Sequence, residues 1–283
     1  PPCFLYYDGS VMHTNWKTLK YGLILSLLLV MTGSARAQIT VRGMLAHDLD
    51  ATPGQVVSGS IIVDNETGAP QQAKVYQTDY LFFADGTNAY DLPGTNPRSN
   101  ALWVRFSPDN MTIPPNGSAT VSYSITVPDS VSEGSFWSMV MVEAVDATSA
   151  ESLEGDEGDR QVGFRQVTRY GVQIATHLRQ SAEQNVSFDG IQLDVDDEGN
   201  TTFSADVYNT GSLMLRPQVY MRVFDADGVE HGPFEGIQYR MYPGTSVRQR
   251  IDLSSLETGA YQALLIVDNG QDAVFGGQYE LTL

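Results

Sequence analysis

The chain has 283 residues, 42% hydrophobic and 18% charged, with 34 acidic against 16 basic side chains and a formal net charge of −18. That length suits two domains of ordinary size, and the charge disfavours nucleic acid and anionic membrane surfaces as partners. The single cysteine, Cys3, lies ahead of the region expected to fold, so core packing rather than disulfides must hold the protein together.

The first methionine is Met12, and residues 1–11 read as upstream sequence. Lys17 and Lys20 then give a positive start, Tyr21 to Met31 an apolar core, and Ala35-Arg36-Ala37 a small-x-small cleavage site, the pattern of an export signal. The apolar core is about half the length that spans a bilayer. Residues 1–37 are therefore expected to be removed, leaving a chain from Gln38 with a net charge of about −20 and Lys74 as its one lysine.

Strands are expected at Ile39–Leu45, Gln55–Asn65, Ala73–Phe83 and Ala101–Phe106, the last closed by Ser107-Pro108. After the Pro114-Pro115-Asn116-Gly117 turn, Ser118–Val127 alternates, with Val121, Tyr123, Ile125 and Val127 on one face. Phe136–Val145 is nearly continuous apolar sequence, as in a strand covered on both sides. An acidic, glycine-rich loop is expected over 146–160, and one more strand over Gln161–Thr176. The second half repeats the logic: Asn185–Val195, Thr201–Asn209, Arg216–Asp225 with an Asp227-Gly228 hairpin turn, Ser246–Leu253, Gly259–Val267 and Gln278–Leu283. Helical periodicity is missing after residue 37. The fold class is therefore all-β, two immunoglobulin-like β-sandwiches in tandem, residues 38–171 and 172–283.

Little in the chain points to catalysis. His47, His177 and His231 stand alone in sequence, and surface or turn positions are expected for all three. No Gly-x-Ser-x-Gly elbow, His-Glu-x-x-His pair or phosphate loop is present. Asp194-Val195-Asp196-Asp197-Glu198-Gly199 resembles the start of a calcium loop, but Ala205 stands where the bidentate glutamate belongs, so an acidic hairpin tip is the expected reading. No metal, cofactor or catalytic residue is assigned. Trp137, between core-facing neighbours, is the aromatic whose exposure matters most.

Asn96-Pro97-Arg98-Ser99 before Trp103-Val104-Arg105-Phe106, the Pro115-Asn116-Gly117 turn, Gly134-Ser135-Phe136 opening a strand, and Thr168-Arg169-Tyr170-Gly171-Val172 entering the second half occur in a telling order. In that order, over most of residues 38–177, the chain resembles the periplasmic pilus-assembly chaperones. The resemblance implies a non-enzymatic protein that binds secreted pilus or surface subunits by edge-strand pairing in the periplasm. It implies that Val162 and Phe164 offer apolar side chains to the partner, with Tyr170, Val172 and Ile174 continuing that face or filling the protein's own core. It further implies that Arg42 and Arg169 hold a partner carboxylate. The turn and its flanks also resemble the WxL-interacting cell-surface proteins, which implies the alternative of a surface adhesion or cell-wall-binding role.

Overall fold

The structure, a computed structural model, describes residues 39–145, 168–270 and 273–283. The expected export signal, the acidic loop, Val162 and Phe164 lie outside these residues. All described elements are strands, and they fall within one compact unit. No helix among the described residues is long and apolar enough to cross a membrane.

The first sandwich holds β1 (Ile39–Arg42), β2 (Ala46–Asp50), β3 (Val56–Asn65), β4 (Gln71–Thr78), β5 (Leu81–Phe82), β6 (Asn88–Ala89), β7 (Val104–Ser107), β8 (Asn110–Ile113), β9 (Ser118–Thr126), β10 (Gly134–Val145) and β11 (Arg169–Leu178). One sheet runs β1-β3-β9-β7 and the facing sheet β2-β11-β10-β4-β8. The expected single strand Ile39–Leu45 is broken at Gly43, whose φ of 92° suits a residue without Cβ. The break lets the chain leave β1, antiparallel to β3, and re-enter as β2, parallel to β11 in the other sheet. Val121, Tyr123 and Ile125 of β9 point into the core as their alternation demands, meeting Val140 and Val142 of β10 and Val172 and Ile174 of β11.

The second sandwich holds β12 (Val186–Val195), β13 (Thr201–Asn209), β14 (Gln218–Phe224), β15 (Glu230–Glu235), β16 (Ser246–Asp252), β17 (Ala260–Asp268) and β18 (Val274–Thr282). Its sheets run β12-β13-β16 and β15-β14-β17-β18 around Phe203, Leu215, Met221, Ile251 and Leu265. The two modules share a device at the end of a central strand. Buried Asn65 ends β3 and donates through Nδ2 to Ala69 O, Ile113 O and Pro114 O; buried Asn209 ends β13 and donates to Leu213 O and Met241 O. Each amide ties turn carbonyls to the end of its strand, and for Leu213 O the Asn209 amide is the hydrogen-bond donor among the described residues.

Further expectations change. Ala73–Phe83 is not one strand: β4 ends at Thr78, and buried Asp79 accepts N–H bonds from Gly94 and Asn96 and a hydroxyl bond from Ser99, redirecting the chain into the β5–β6 hairpin. Residues 101–103 form a turn, and the strand there starts at Val104. β8 and β15, short edge strands, carried too little alternation to be read from sequence. The expected division at 171/172 falls inside β11, which pairs with β10 down to Leu178, so the chain leaves the first sandwich only after that residue.

The sandwiches meet through a packed junction. Trp137, 1% exposed, stacks on the fully buried Tyr242 with ring centroids 4.5 Å apart and planes 15° from parallel. Phe82, on the hairpin, packs against this pair and against the second core, while Ala84 N–H donates to Ser246 Oγ at 3.0 Å. Arg240 of the second module donates to both oxygens of Asp48 on β2, at 2.6 and 2.5 Å.

Candidate functional site

Among the described residues, β11 has strand partners on both sides along only part of its length. β10 pairs with it from Arg169 to Leu178, whereas β2 covers the opposite side only from Gln173 to His177. Gln173 N–H donates to Leu45 O at 2.8 Å, while Thr168 O accepts Ala144 N–H on the β10 side. Backbone groups alternate along a strand, so the odd residues of β11 turn their N–H and C=O away from β10. For Arg169 and Gly171 those groups have no strand partner among the described residues. Met44 and Leu45, 76% and 44% exposed, mark the place where β2 stops covering the edge. An uncovered edge of this kind is a template for another extended chain.

The outer face of the same sheet carries a groove of about 830 Å³ beside this edge. Met139 and Met141 of β10 and Gly171 of β11 form its floor, with Tyr76, Tyr90 and Leu92 on its walls. Gly171 matters here because a Cβ at that position would collide with the Met139 sulfur. The Tyr90–Leu92 wall is held by the Asp79 carboxylate, which binds Gly94 and Asn96 just beyond it. Tyr90 is 58% and Leu92 80% exposed, so large apolar surface faces solvent at the rim. Across the sheet, ending at this edge, runs a charged row: Lys74, Glu143 and Arg169 occupy directly paired positions on β4, β10 and β11. Arg169 Nε lies 2.9 Å from Glu143 Oε2, and Tyr76 donates its hydroxyl to the same oxygen at 3.0 Å. Burial, and then the Glu143 carboxylate, raise the Tyr76 phenol above its usual value.

The residues singled out from sequence are distributed as follows. Arg169 stands at the open end of β11. Arg42 sits in the other sheet, at the end of β1, where Nε and Nη2 donate to Asp64 at 2.9 and 2.7 Å. The two arginines thus hold separate carboxylates and do not share a hydrogen-bonded cluster among the described residues. Val172 and Ile174 are fully buried in the protein's own core, with Tyr170 packed against it. The groove was missed because its floor comes from two strands and its wall from a loop; the one signal in the sequence was a glycine inside a strand, which marks close approach of another group.

His177 overturns the expectation of a surface or turn position, being 2% exposed. Its Nδ1 lies 2.8 Å from Ser135 Oγ and its Nε2 3.3 Å from Asp48 Oδ1, a serine–histidine–aspartate array that no motif announces. Ser135 is fully buried, and its Oγ accepts Met214 N–H at 2.7 Å from the second module, so a substrate has no approach to it. The array wires the junction. The Asp48 carboxylate can only accept, so it takes the Nε2 proton; in the neutral imidazole Nδ1 then accepts from the Ser135 hydroxyl, which itself accepts Met214 N–H. Asp48 is pulled down from 3.8 to about 2, first by the His177 hydrogen bond and then by Arg240, against the opposing effect of burial. The Asp194–Gly199 segment is a hairpin tip in which Asp196 accepts the N–H groups of Glu198 and Asn200. Trp137, the aromatic whose exposure was in question, is buried in the junction.

No protein-family model matches the chain, and no curated protein matches it. The chain is similar to solved fimbrial and pilus chaperones. A chain from a chaperone–tip adhesin complex of CFA/I fimbriae biogenesis shares 14% identity over 86% of this chain and 98% of that one, with a TM-score of 0.47. The class 5 fimbriae chaperone CfaA gives 14%, 87%, 100% and 0.44, and a chain from the Salmonella enterica SafA pilin–SafB chaperone complex 11%, 88%, 98% and 0.41. Likeness at this level says nothing of partner or activity, which rest on the geometry of the open edge.

Proposed function

We propose that this protein is an exported, non-enzymatic, chaperone-like binder of secreted pilus or surface subunits, working by edge-strand pairing in the periplasm. The uncovered edge at Arg169–Val172 carries this reading: outward N–H and C=O groups at Arg169 and Gly171 match the backbone of an extended segment, a common mode of peptide capture. On this reading Val162 and Phe164, upstream on the same chain and outside the described residues, supply apolar contacts to the partner. Arg42 and Arg169 serve as carboxylate anchors, each exchanging its present acid, Asp64 or Glu143, for one on the partner.

The test separates backbone from side chain. Pairs of Arg169→Ala and Arg169→Pro variants are co-expressed with an exported subunit and recovered from the periplasm, alongside Phe164→Asp. Proline removes the outward N–H while sparing the bonds to β10, and edge positions tolerate it. The expected result is a partial loss of co-purified subunit with alanine and a loss of 10-fold or more with proline and with Phe164→Asp. Equal recovery with all variants, or retention of the protein on isolated cell wall without a bound subunit, overturns the reading.

A further inference from the structure

The open edge and the groove beside it are adjacent, and together they specify side chains as well as backbone. We propose that the segment paired to β11 carries a large aromatic residue opposite Gly171 and an acidic residue two positions away, opposite Arg169. This inference rests on the edge-pairing reading above and names the chemistry of its partner.

Residues directly opposite in neighbouring strands place their Cβ atoms about 4.5–5.5 Å apart on the same face. A strand lying along Arg169–Val172 therefore has two outward side chains, two positions apart, over Gly171 and Arg169. Opposite Gly171 there is no side chain to meet, only the floor of Met139 and Met141 and the exposed rim of Tyr90 and Leu92. The Met139 thioether lies over Gly171, in the space a Cβ would take, so an aromatic ring placed opposite the glycine gains contact with polarizable methionine sulfur. A short aliphatic side chain leaves the rim uncovered. Opposite Arg169, the row Lys74–Glu143–Arg169 has two cations against one carboxylate. In a chain with 34 acidic and 16 basic residues this local excess favours an acid and disfavours a base on the partner. A parallel and an antiparallel partner read the same pair in opposite order.

Blocked nine-residue peptides of threonine and valine, with Phe-Thr-Glu or Glu-Thr-Phe at the centre, test the idea against Ala-Thr-Glu, Glu-Thr-Ala, Phe-Thr-Lys and Lys-Thr-Phe counterparts. Binding is read from amide chemical shifts of the full chain, which also report where the peptide sits. One of the two aromatic–acid peptides is expected to bind at least 10-fold more tightly than its alanine and lysine counterparts, with shifts centred on Arg169–Val172. Gly171→Val should abolish the aromatic preference. Arg169→Glu, a surface change that leaves the floor intact, should reverse the acid-over-base preference, and added salt should weaken it. Binding at Arg169–Val172 with equal affinity for all six peptides overturns this inference and leaves the edge-pairing reading standing. Absence of shifts at Arg169–Val172 with every peptide overturns both.

Discussion

The stacked pair at the junction allows a quantitative test of whether the two sandwiches act as one structure. Trp137 and Tyr242 come from different modules, yet both are buried and their rings overlap at 4.5 Å. Replacing either with leucine keeps apolar bulk and removes the stack. Trp137→Leu also removes an indole N–H that donates to Tyr80 O at 2.7 Å, worth about 1 kcal/mol, so its cost should exceed that of Tyr242→Leu. The Tyr242 hydroxyl reaches Gln173 Oε1 only at 3.4 Å and adds little. Stacked aromatic pairs contribute about 0.5–1.5 kcal/mol beyond area burial, so the double-mutant cycle should return a coupling of about 1 kcal/mol. Urea unfolding followed by far-ultraviolet circular dichroism supplies the four free energies, with an unchanged slope if the modules unfold together. Additivity within about 0.3 kcal/mol, with the single variants unfolding at the wild-type midpoint, refutes the claim that the junction is a load-sharing core.

Other outcomes follow from the same structure. Asp48 is held near 2 against an ordinary 3.8, so its stabilisation is complete above about pH 5 and is lost as pH falls toward 2. With its carboxylate about a third exposed, a discounted figure is about 1–2 kcal/mol; the urea midpoints of wild type and Asp48→Asn should differ at pH 6 and converge near pH 2. Asn209→Ala removes three bonds, two donated by Nδ2 and one accepted by Oδ1 from Gly211 N–H, but Gly211 N–H still reaches Asn185 O and Met241 O still accepts Leu215 N–H at 2.9 Å, leaving Leu213 O as the carbonyl stripped of its partner. The expected loss is about 2–3 kcal/mol by urea unfolding, and one within 0.5 kcal/mol refutes the role given to this amide. Arg42→Ala breaks an ion pair whose arginine is 61% exposed, so stability should move by less than about 1 kcal/mol while subunit recovery falls; a melting point lowered by 10 °C or more contradicts this.

Alternation in Ser118–Val127 and the continuous apolar run after Phe136 were enough to establish the first sandwich, because burial of one or both strand faces is written directly into side-chain period. The same local pattern cannot say which strand loses a neighbour partway along. That β11 has no strand neighbour at Arg169 and Gly171 among the described residues depends on where β2 begins, which Gly43 decides by turning the chain between sheets. Likewise Ser135, His177 and Asp48 are far apart in sequence, and only the packing of β2, β10 and β11 brings them into one hydrogen-bonded line. Side-chain period is a property of a single strand and is legible in the chain itself. An open edge, a groove floor and a junction are properties of neighbours, and neighbours exist only once the sheets have closed.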